Sequence, residues 1–343
     1  MFGKMMNNYY YGKSGKGDFR KDDMPATRMQ LFWDTLRTRL SGLCRLNLVY
    51  TVIWLPAMLV MLLMTSQIYG NLNAYMLVQE NDYAAYVERA TEAGTEVTVT
   101  EEQYNELKSQ EVNIGDYLNG SIFQMLLILF PCIAITGPFT AGFSYVTRNW
   151  ARDEHAFIWS DFKDAIKANW KIPLVLSIIT GALPLLVYQG WITYGQMANQ
   201  NAILVIPRVL VILVGVIWAI SITYMHPLTV TYDLKLMNVI RNGLLLGVAR
   251  LPFSVGIRLL HCVPTLIAAA AVWFFGLDLM MALVILCGYY VIIGFGLSRF
   301  ITASYTNAVF DRFINSRIEG AKVNQGLREA EDDDEETEEE TEP

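Results

Sequence analysis

The chain has 343 residues, of which 53% are hydrophobic and only 17% are charged. A soluble domain carries about 25% charged residues, so this composition excludes an ordinary soluble protein. The net charge of −7 comes mostly from the acidic residues between Glu331 and Pro343, and we expect no nucleic-acid partner.

The chain begins with a Tyr-, Gly- and Lys-rich stretch that lacks the apolar core of a cleavable signal peptide. We predict that residues 1–28 are a disordered N-terminus and that 29–70 hold an interfacial helix and the first membrane span. An acidic segment over 71–120 follows outside the membrane, and 121–320 form a five-span membrane domain. The residues 321–343 are predicted to be an acidic disordered tail, which could bind a basic partner.

A helix needs about 20 largely apolar residues to cross the hydrocarbon core of a bilayer. Six stretches of the chain meet this requirement. We therefore predict an all-α integral membrane protein with about six transmembrane helices, whose surroundings are the lipid bilayer. The stretches are 47–69, 121–146, 173–193, 203–225, 252–275 and 279–298.

Lys and Arg residues alternate between the segments that join these spans. Residues 1–45 hold nine, 148–171 hold five, 226–251 hold three, and the chain from Arg299 onward holds five. Residues 71–120 hold two against ten acidic residues. Because basic residues accumulate on the cytoplasmic side, we predict a multi-pass protein of the cell membrane with both termini in the cytoplasm.

The acidic segment over 71–120 has helical patterns at 84–90 and 101–108, where Tyr104 and Leu107 could face inward. Fifty residues are few for an independent core. The segment is either a small cap on the bundle or a partly ordered acidic loop.

The even-numbered spans finish alike, with a threonine followed three residues later by an aromatic residue. These threonines are Thr140, Thr229 and Thr302. Amphipathic stretches with basic neighbours precede the odd-numbered spans, over 32–43, 162–170 and 234–244, and suit helices in the membrane interface. The chain is therefore interpreted as three parallel two-span repeats with cytoplasmic interfacial helices. A chance match of four common residues is the alternative.

The segment 131–170 carries the pattern Pro131, Thr136-Gly137, Tyr145-Val146, Arg152-Asp153-Glu154 and Asp161-Phe162, with Asn169 in the following helix. This pattern resembles the signature of the YesL-like family of bacterial integral membrane proteins, a family of unknown function. The resemblance implies a Gram-positive source and an association with carbohydrate uptake, with subunits of ABC-type sugar transporters as possible partners. The segment 71–120 and both chain ends depart from the shorter family members.

The sequence contains no phosphate-binding loop, no HExxH and no GxSxG, and its three histidines and four cysteines show no metal spacing. We expect no catalytic residue, no cofactor and no metal, and therefore no enzyme. Prolines within the spans could break helices at a substrate site, although kinked helices are also ordinary in bundles.

Three groups of charged residues are candidate functional residues, in addition to the three threonines. Residues Arg152, Asp153, Glu154 and His155 could dock a partner or gate a pore, or form a turn whose charges pair with the next helix. Arg258 and His261 share a face of the fifth span, where Arg258 is either functional or extended towards the interface. Arg208 could pair with Asp278 or contact lipid headgroups.

Two functions follow from these observations. The first is an accessory or scaffold protein of a carbohydrate transport system, and the second is a small-solute transporter or channel in its own right. A polar cavity lined by several spans would favour transport, whereas a tightly packed apolar bundle would favour the accessory role. The protein could also form homo-oligomers.

Overall fold

The computed structural model describes residues 24–80, 82–92, 97, 99–109 and 113–328. The predicted disorder of 1–23 and of 329–343 lies outside the described residues. The described part of the chain consists of helices and their connections, without a β-strand, which confirms the all-α prediction. Its helices are α1 (Arg28–Glu80), α2 (Tyr83–Glu92), α3 (Glu101–Ser109), α4 (Ile114–Ala151), α5 (Ser160–Asn169), α6 (Lys171–Ala198), α7 (Val205–Thr231), α8 (Leu236–Ala249), α9 (Leu251–Phe275), α10 (Leu279–Tyr289) and α11 (Phe295–Phe313), with a π turn at Tyr290–Gly294 between the last two.

Six helical stretches are long and apolar enough to cross a membrane, namely α1, α4, α6, α7, α9 and the continuous stretch of α10, π turn and α11. Each of the six predicted stretches falls within one of them when the 3₁₀ turn Ala202–Leu204 is counted with α7, which confirms the multi-pass membrane fold. The described ends of the chain meet, since the backbone N–H of Arg328 donates to the carbonyl of Pro25 at 3.1 Å. We call this end of the bundle the terminal face and the other end the far face.

The first predicted interfacial helix is not a separate element. The amphipathic stretch over 32–43 forms the first turns of α1, which runs without interruption into the span. It joins the span because Leu31, Leu43 and Leu46 are buried against the bundle and no proline separates them from the span. The other two predicted amphipathic helices are separate, as α5 and α8.

Glycines allow two pairs of helices to approach closely. A Cβ atom added to Gly137 on α4 would lie 2.2 Å from the backbone carbonyl oxygen of Pro173 on α6. A Cβ atom on Gly247 of α8 would lie 2.7 Å from the hydroxyl oxygen of Ser221 on α7. Such small-residue contacts are the usual means of helix packing in membranes, and they hold α6 and α8 against the rest of the bundle.

The buried core lies in the half of the bundle next to the terminal face. One cluster joins α1, α4, α5 and α11 around Tyr50, Phe143 and Phe300. A second joins α6, α7, α8 and α11 around Tyr224 and Phe310. In the far half, no described residue of 58–75, 114–128, 182–198 or 205–219 is buried. The buried packing is therefore concentrated in the terminal half of the bundle.

The π turn is held by Asn47 of α1, whose side chain is fully buried. The Asn47 amide donates to the carbonyls of Tyr290 and Val291 at 3.0 and 2.7 Å, and its oxygen accepts from the Gly296 N–H at 2.7 Å. A π turn leaves carbonyls without their usual helical donors. One side chain of the first span thus stabilises the irregular turn of the last.

The chain after α11 folds back across the terminal face. Arg28 donates to the Asp311 carboxylate and to the Asn324 side chain, each at 2.7 Å, and the Asn324 N–H donates to the same carboxylate at 3.2 Å. Arg152 donates to Gln325. Polar contacts of Asn324, Gln325 and Arg328 thus hold this part of the chain against the bundle, and the predicted disordered tail over 321–343 stays a prediction.

Helices α2 and α3 form a small cap near the far face. Tyr104 is only 1% exposed and contacts the rings of Tyr83 and Tyr86 at centroid distances of 5.5 and 5.6 Å. The structure confirms the inward position of Tyr104. Leu107, which was predicted to face inward with it, is 44% exposed, because the three tyrosine rings already fill the space between the two short helices.

Candidate functional site

A polar cavity of about 290 Å³ lies inside the bundle, and all six spans contribute to its lining. It borders the packed terminal half of the bundle, because Trp54 and Phe295 line the cavity and also pack against one of the two apolar clusters. The lining residues are Trp54, Ile133, Thr136, Thr140, Ser177, Thr180, Ile222, Thr223, His226, Arg258, His261, Tyr290, Phe295, Ser298, Arg299 and Thr302.

Hydroxyl groups from α4 and α6 form one part of this lining. Thr136, Thr140 and Thr180 each donate to a carbonyl of their own helix, at 2.8, 2.9 and 2.7 Å. Tyr50, from the first span, shares a 2.6 Å hydrogen bond with the Thr140 hydroxyl. Since most hydroxyl protons are used within the helices, the oxygens remain as acceptors.

The cationic part of the lining comes from α7, α9 and α11, which supply His226, Arg258, His261 and Arg299. Arg258 lies seven residues after Leu251, about 10 Å into the span at 1.5 Å per residue. Its Nε donates to the carbonyl of Ala219, so the side chain turns inward rather than towards the interface. The interpretation of Arg258 as a residue that extends to the membrane surface does not fit this position.

Three buried polar atoms of the lining have no hydrogen-bond partner within the described part of the chain. They are Nε1 of Trp54, Oγ1 of Thr223 and Nδ1 of His226. Thr223 and His226 are each only 4% exposed. Since an unsatisfied buried polar group costs about 1–3 kcal/mol, these atoms mark places where a bound molecule or water would complete the hydrogen bonding.

The closest approach to a catalytic pair is that of His261 and Thr302, whose Nε2 and hydroxyl oxygen lie 3.3 Å apart. The same Nε2 lies 3.1 Å from the carbonyl of Ser298. A carbonyl can only accept, so this contact assigns the ring hydrogen to Nε2. With its ring hydrogen on Nε2, His261 cannot accept a proton from Thr302 through that nitrogen.

The structure brings together some of the sequence-predicted residues. Arg258, His261, Thr140 and Thr302 all line the cavity. Thr229 does not, because it lies further along α7 towards the terminal face, where its hydroxyl donates to the His226 carbonyl at 2.7 Å. The three threonines of the proposed repeat therefore do not share one site, and the repeat itself stays a prediction.

The remaining candidates lie elsewhere. Arg152 and Glu154 form an ion pair at 3.4 Å within their own turn, where Asp153 adopts a positive φ of 57°. His155 packs edge-on against Phe157. The charges of Arg152 and Glu154 are thus paired with each other, and Arg152 also contacts the C-terminal segment.

Arg208 lies near the far face with its guanidinium 3.7 Å from the ring centroid of Trp191. Asp278 caps α10 by accepting from the Met281 N–H at 2.9 Å. The suggested ion pair between Arg208 and Asp278 is absent from the described residues, because each group is engaged by its own neighbour.

Sequence reasoning did not select His226, Arg299 or Trp54. His226 and Arg299 each stand one residue beyond the end of a predicted span, where a polar residue is ordinarily assigned to the interface. The sequence carried one signal that could have identified His226 and Arg299, which is that such polar residues recur at the ends of two spans. Trp54 gave no signal, since tryptophan is common in membrane helices.

Comparison with known proteins gives one match. Residues 117–191 match the model of a family described as a protein of unknown function, DUF624. This range holds most of α4, all of α5 and most of α6, and it contains the segment 131–170 that resembles the YesL-like family. Neither the curated proteins nor the solved structures contain a match to this chain.

Proposed function

We propose that this chain is a membrane transport protein that binds a small solute in the central cavity. The observation that carries the proposal is a cavity lined by all six spans, with buried polar atoms that have no partner in the described part of the chain. Polar and ionisable groups inside a membrane are expensive and mark solute pathways. Irregular helices that line cavities are a feature of transporters, and the π turn supplies one through Tyr290.

The packing supports access from one side. Two apolar clusters lie between the cavity and the terminal face, whereas no described residue of 182–198 or 205–219 is buried on the far side. We place the terminal face on the cytoplasmic side of the cell membrane, because its basic residues favour that side. In this orientation the cavity is reached from outside the cell.

An accessory or scaffold role in carbohydrate transport is the second proposal. It rests on the resemblance of residues 131–170 to the YesL-like family, and the match of residues 117–191 to a family of unknown function is consistent with that resemblance. Subunits of an ABC-type sugar transporter would then bind the terminal face. The cavity favours the transporter, since a scaffold has no need of unpaired polar groups inside its spans.

Water access to the cavity tests the transporter proposal. Ser177, 3% exposed and part of the lining, is replaced by cysteine in a chain whose four native cysteines are replaced by serine. We expect a membrane-impermeant methanethiosulfonate reagent to label S177C in sealed vesicles from the far face. A matched V214C variant, at a position 56% exposed on the outside of α7, should stay unlabelled, because a thiol in lipid does not ionise.

Flux and partner measurements complete this test. Proteoliposomes are assayed for uptake of labelled phosphate, citrate and glucose, and crosslinked native membranes are analysed by mass spectrometry. Labelling of S177C with uptake above that of protein-free liposomes supports a transporter. Absence of labelling from either side, together with stoichiometric recovery of transporter subunits, would replace it by the accessory role.

A further inference from the structure

We infer that the cavity binds its solute through an anionic group, a carboxylate or a phosphate, held by Arg258 and Arg299. This inference rests on the proposed function, because it names the class of solute that the same cavity accepts. The charge of the lining, the unused donors and the neighbouring surface support it independently.

The lining contains two arginines and two histidines but no Asp or Glu. Within the described part of the chain, neither arginine has a carboxylate oxygen within 4.0 Å, although three other ion pairs are found there. Arginine is charged at all physiological pH values, and an unpaired charge inside a membrane is costly. The site therefore has an excess of positive charge that an anion would neutralise.

Most hydrogen-bond donors of the two arginines are also unused. A guanidinium has five N–H donors. Arg258 uses its Nε towards Ala219, and the contact of Arg299 with the Tyr50 hydroxyl is long, at 3.5 Å. The planar array that remains on each suits the paired oxygens of a carboxylate or phosphate. A metal cation would find repulsion here instead.

The unpartnered neutral groups complete the recognition of an anion. The indole nitrogen of Trp54 can only donate, and no acceptor meets it in the described structure. The hydroxyl of Thr223 is also without a partner. Both can donate to the oxygens of an anion, whereas the hydroxyl oxygen of Thr136 stays available for a hydroxyl or amino group on the rest of the solute.

The anionic group can come from a soluble molecule or from a lipid headgroup. A second, more apolar pocket of about 160 Å³ lies beside the cavity and shares His261, Tyr290 and Ser298 with it. Leu260 and Val263 of α9 line this pocket, and both side chains are exposed on the outside of the bundle. A headgroup could therefore reach the arginines from the bilayer, and the test separates the two sources.

The charge of labelling reagents provides a test that does not require the solute to be known. S177C is treated with anionic sulfonatoethyl and cationic trimethylammonioethyl methanethiosulfonate, and each rate is normalised to that of exposed S316C on the terminal face in detergent. We expect a normalised preference for the anionic reagent on the order of tenfold or more, since a focused positive field concentrates anions by such factors.

Substitutions and competition locate the site. R258Q and R299Q should each reduce the preference several-fold, whereas R208Q, which removes a span arginine outside the cavity, should leave it unchanged. Phosphate or citrate should protect S177C from labelling, and R258Q or R299Q should weaken that protection about tenfold or more, because each removes charge-assisted hydrogen bonds. Protection only by phosphatidylglycerol in nanodiscs, and not by phosphate, would identify a lipid headgroup as the anion and contradict a soluble solute.

The outcomes distinguish this inference from the proposed function. Labelling of S177C without a charge preference, or a preference that R258Q and R299Q leave intact, overturns the anion site while the water-filled cavity remains. Anion protection in detergent without flux in liposomes overturns the transporter while the anion site remains.

Discussion

Replacement of Asn47 by alanine should be among the most damaging single changes to this protein outside the cavity. Three hydrogen bonds join its side chain to the π turn and to Gly296, at distances between 2.7 and 3.0 Å. A buried hydrogen bond contributes about 1 kcal/mol net, so the loss of three lowers the free energy of unfolding by about 3 kcal/mol. Because the Asn47 side chain is fully buried, no water can replace these three hydrogen bonds.

The substitution should also alter the cavity. A π turn holds one residue more than a regular helical turn, which rotates the following residues by about 100° relative to an uninterrupted α-helix. Without Asn47 the turn can relax to α-helix, and Arg299 would then turn away from the cavity. We therefore expect N47A to reduce the charge preference of S177C labelling as much as R299Q does.

The assay is reversible unfolding in mixed micelles, with N307A as the matched control. Asn307 is also buried, but it makes only one side-chain hydrogen bond, to the Arg148 carbonyl at 3.3 Å, so its replacement should cost about 1 kcal/mol. A loss below about 1 kcal/mol for N47A, or equal losses for the two variants, would refute the role given to Asn47.

Three further predictions concern other parts of the molecule. G137A should cost about 1–3 kcal/mol by forcing α4 away from the carbonyl of the facing helix, whereas G120A, whose added Cβ meets nothing within 4 Å, should not destabilise the protein in thermal unfolding. R28A should release the segment 321–328 and speed its limited proteolysis several-fold, while K322A, at an exposed position, should not. Burial, together with the Asp311 carboxylate, raises the pKa of Tyr232 to about 12. The free energy of unfolding should therefore be unchanged below pH 10 and fall as the pH rises towards 12. Ionisation is followed by tyrosinate absorbance, and Y232F, which has no hydroxyl at this position, is the control.

The membrane fold followed from the sequence because a span is a local property. Twenty apolar residues must be helical in lipid whatever surrounds them, so hydropathy alone located all six spans. Their ends were less well predicted. The first span is preceded by an amphipathic stretch that forms the start of the same helix, and no local residue type shows whether such a stretch continues or turns.

The cavity was only partly predictable. Arg258 and His261 stood out because ionisable residues within a span are rare. Arg299 and His226 were assigned to the ends of spans, and the indole N–H of Trp54 became informative only when the structure placed it without a partner. Which residues face one another depends on helix packing, and the π turn shifts that register by a residue without any mark in the sequence.

The contacts between α1 and the last span have a consequence for biosynthesis. Asn47 meets its partners about 245 residues later in the chain, and Arg28 meets Asp311 later still. Pairings of such separation form slowly and cannot form before synthesis is nearly complete. Until the last span inserts, the other five spans therefore lie in the bilayer without it, and the Asn47 amide faces lipid or a temporary partner. Because the last span supplies part of the lining, the cavity forms only after that insertion.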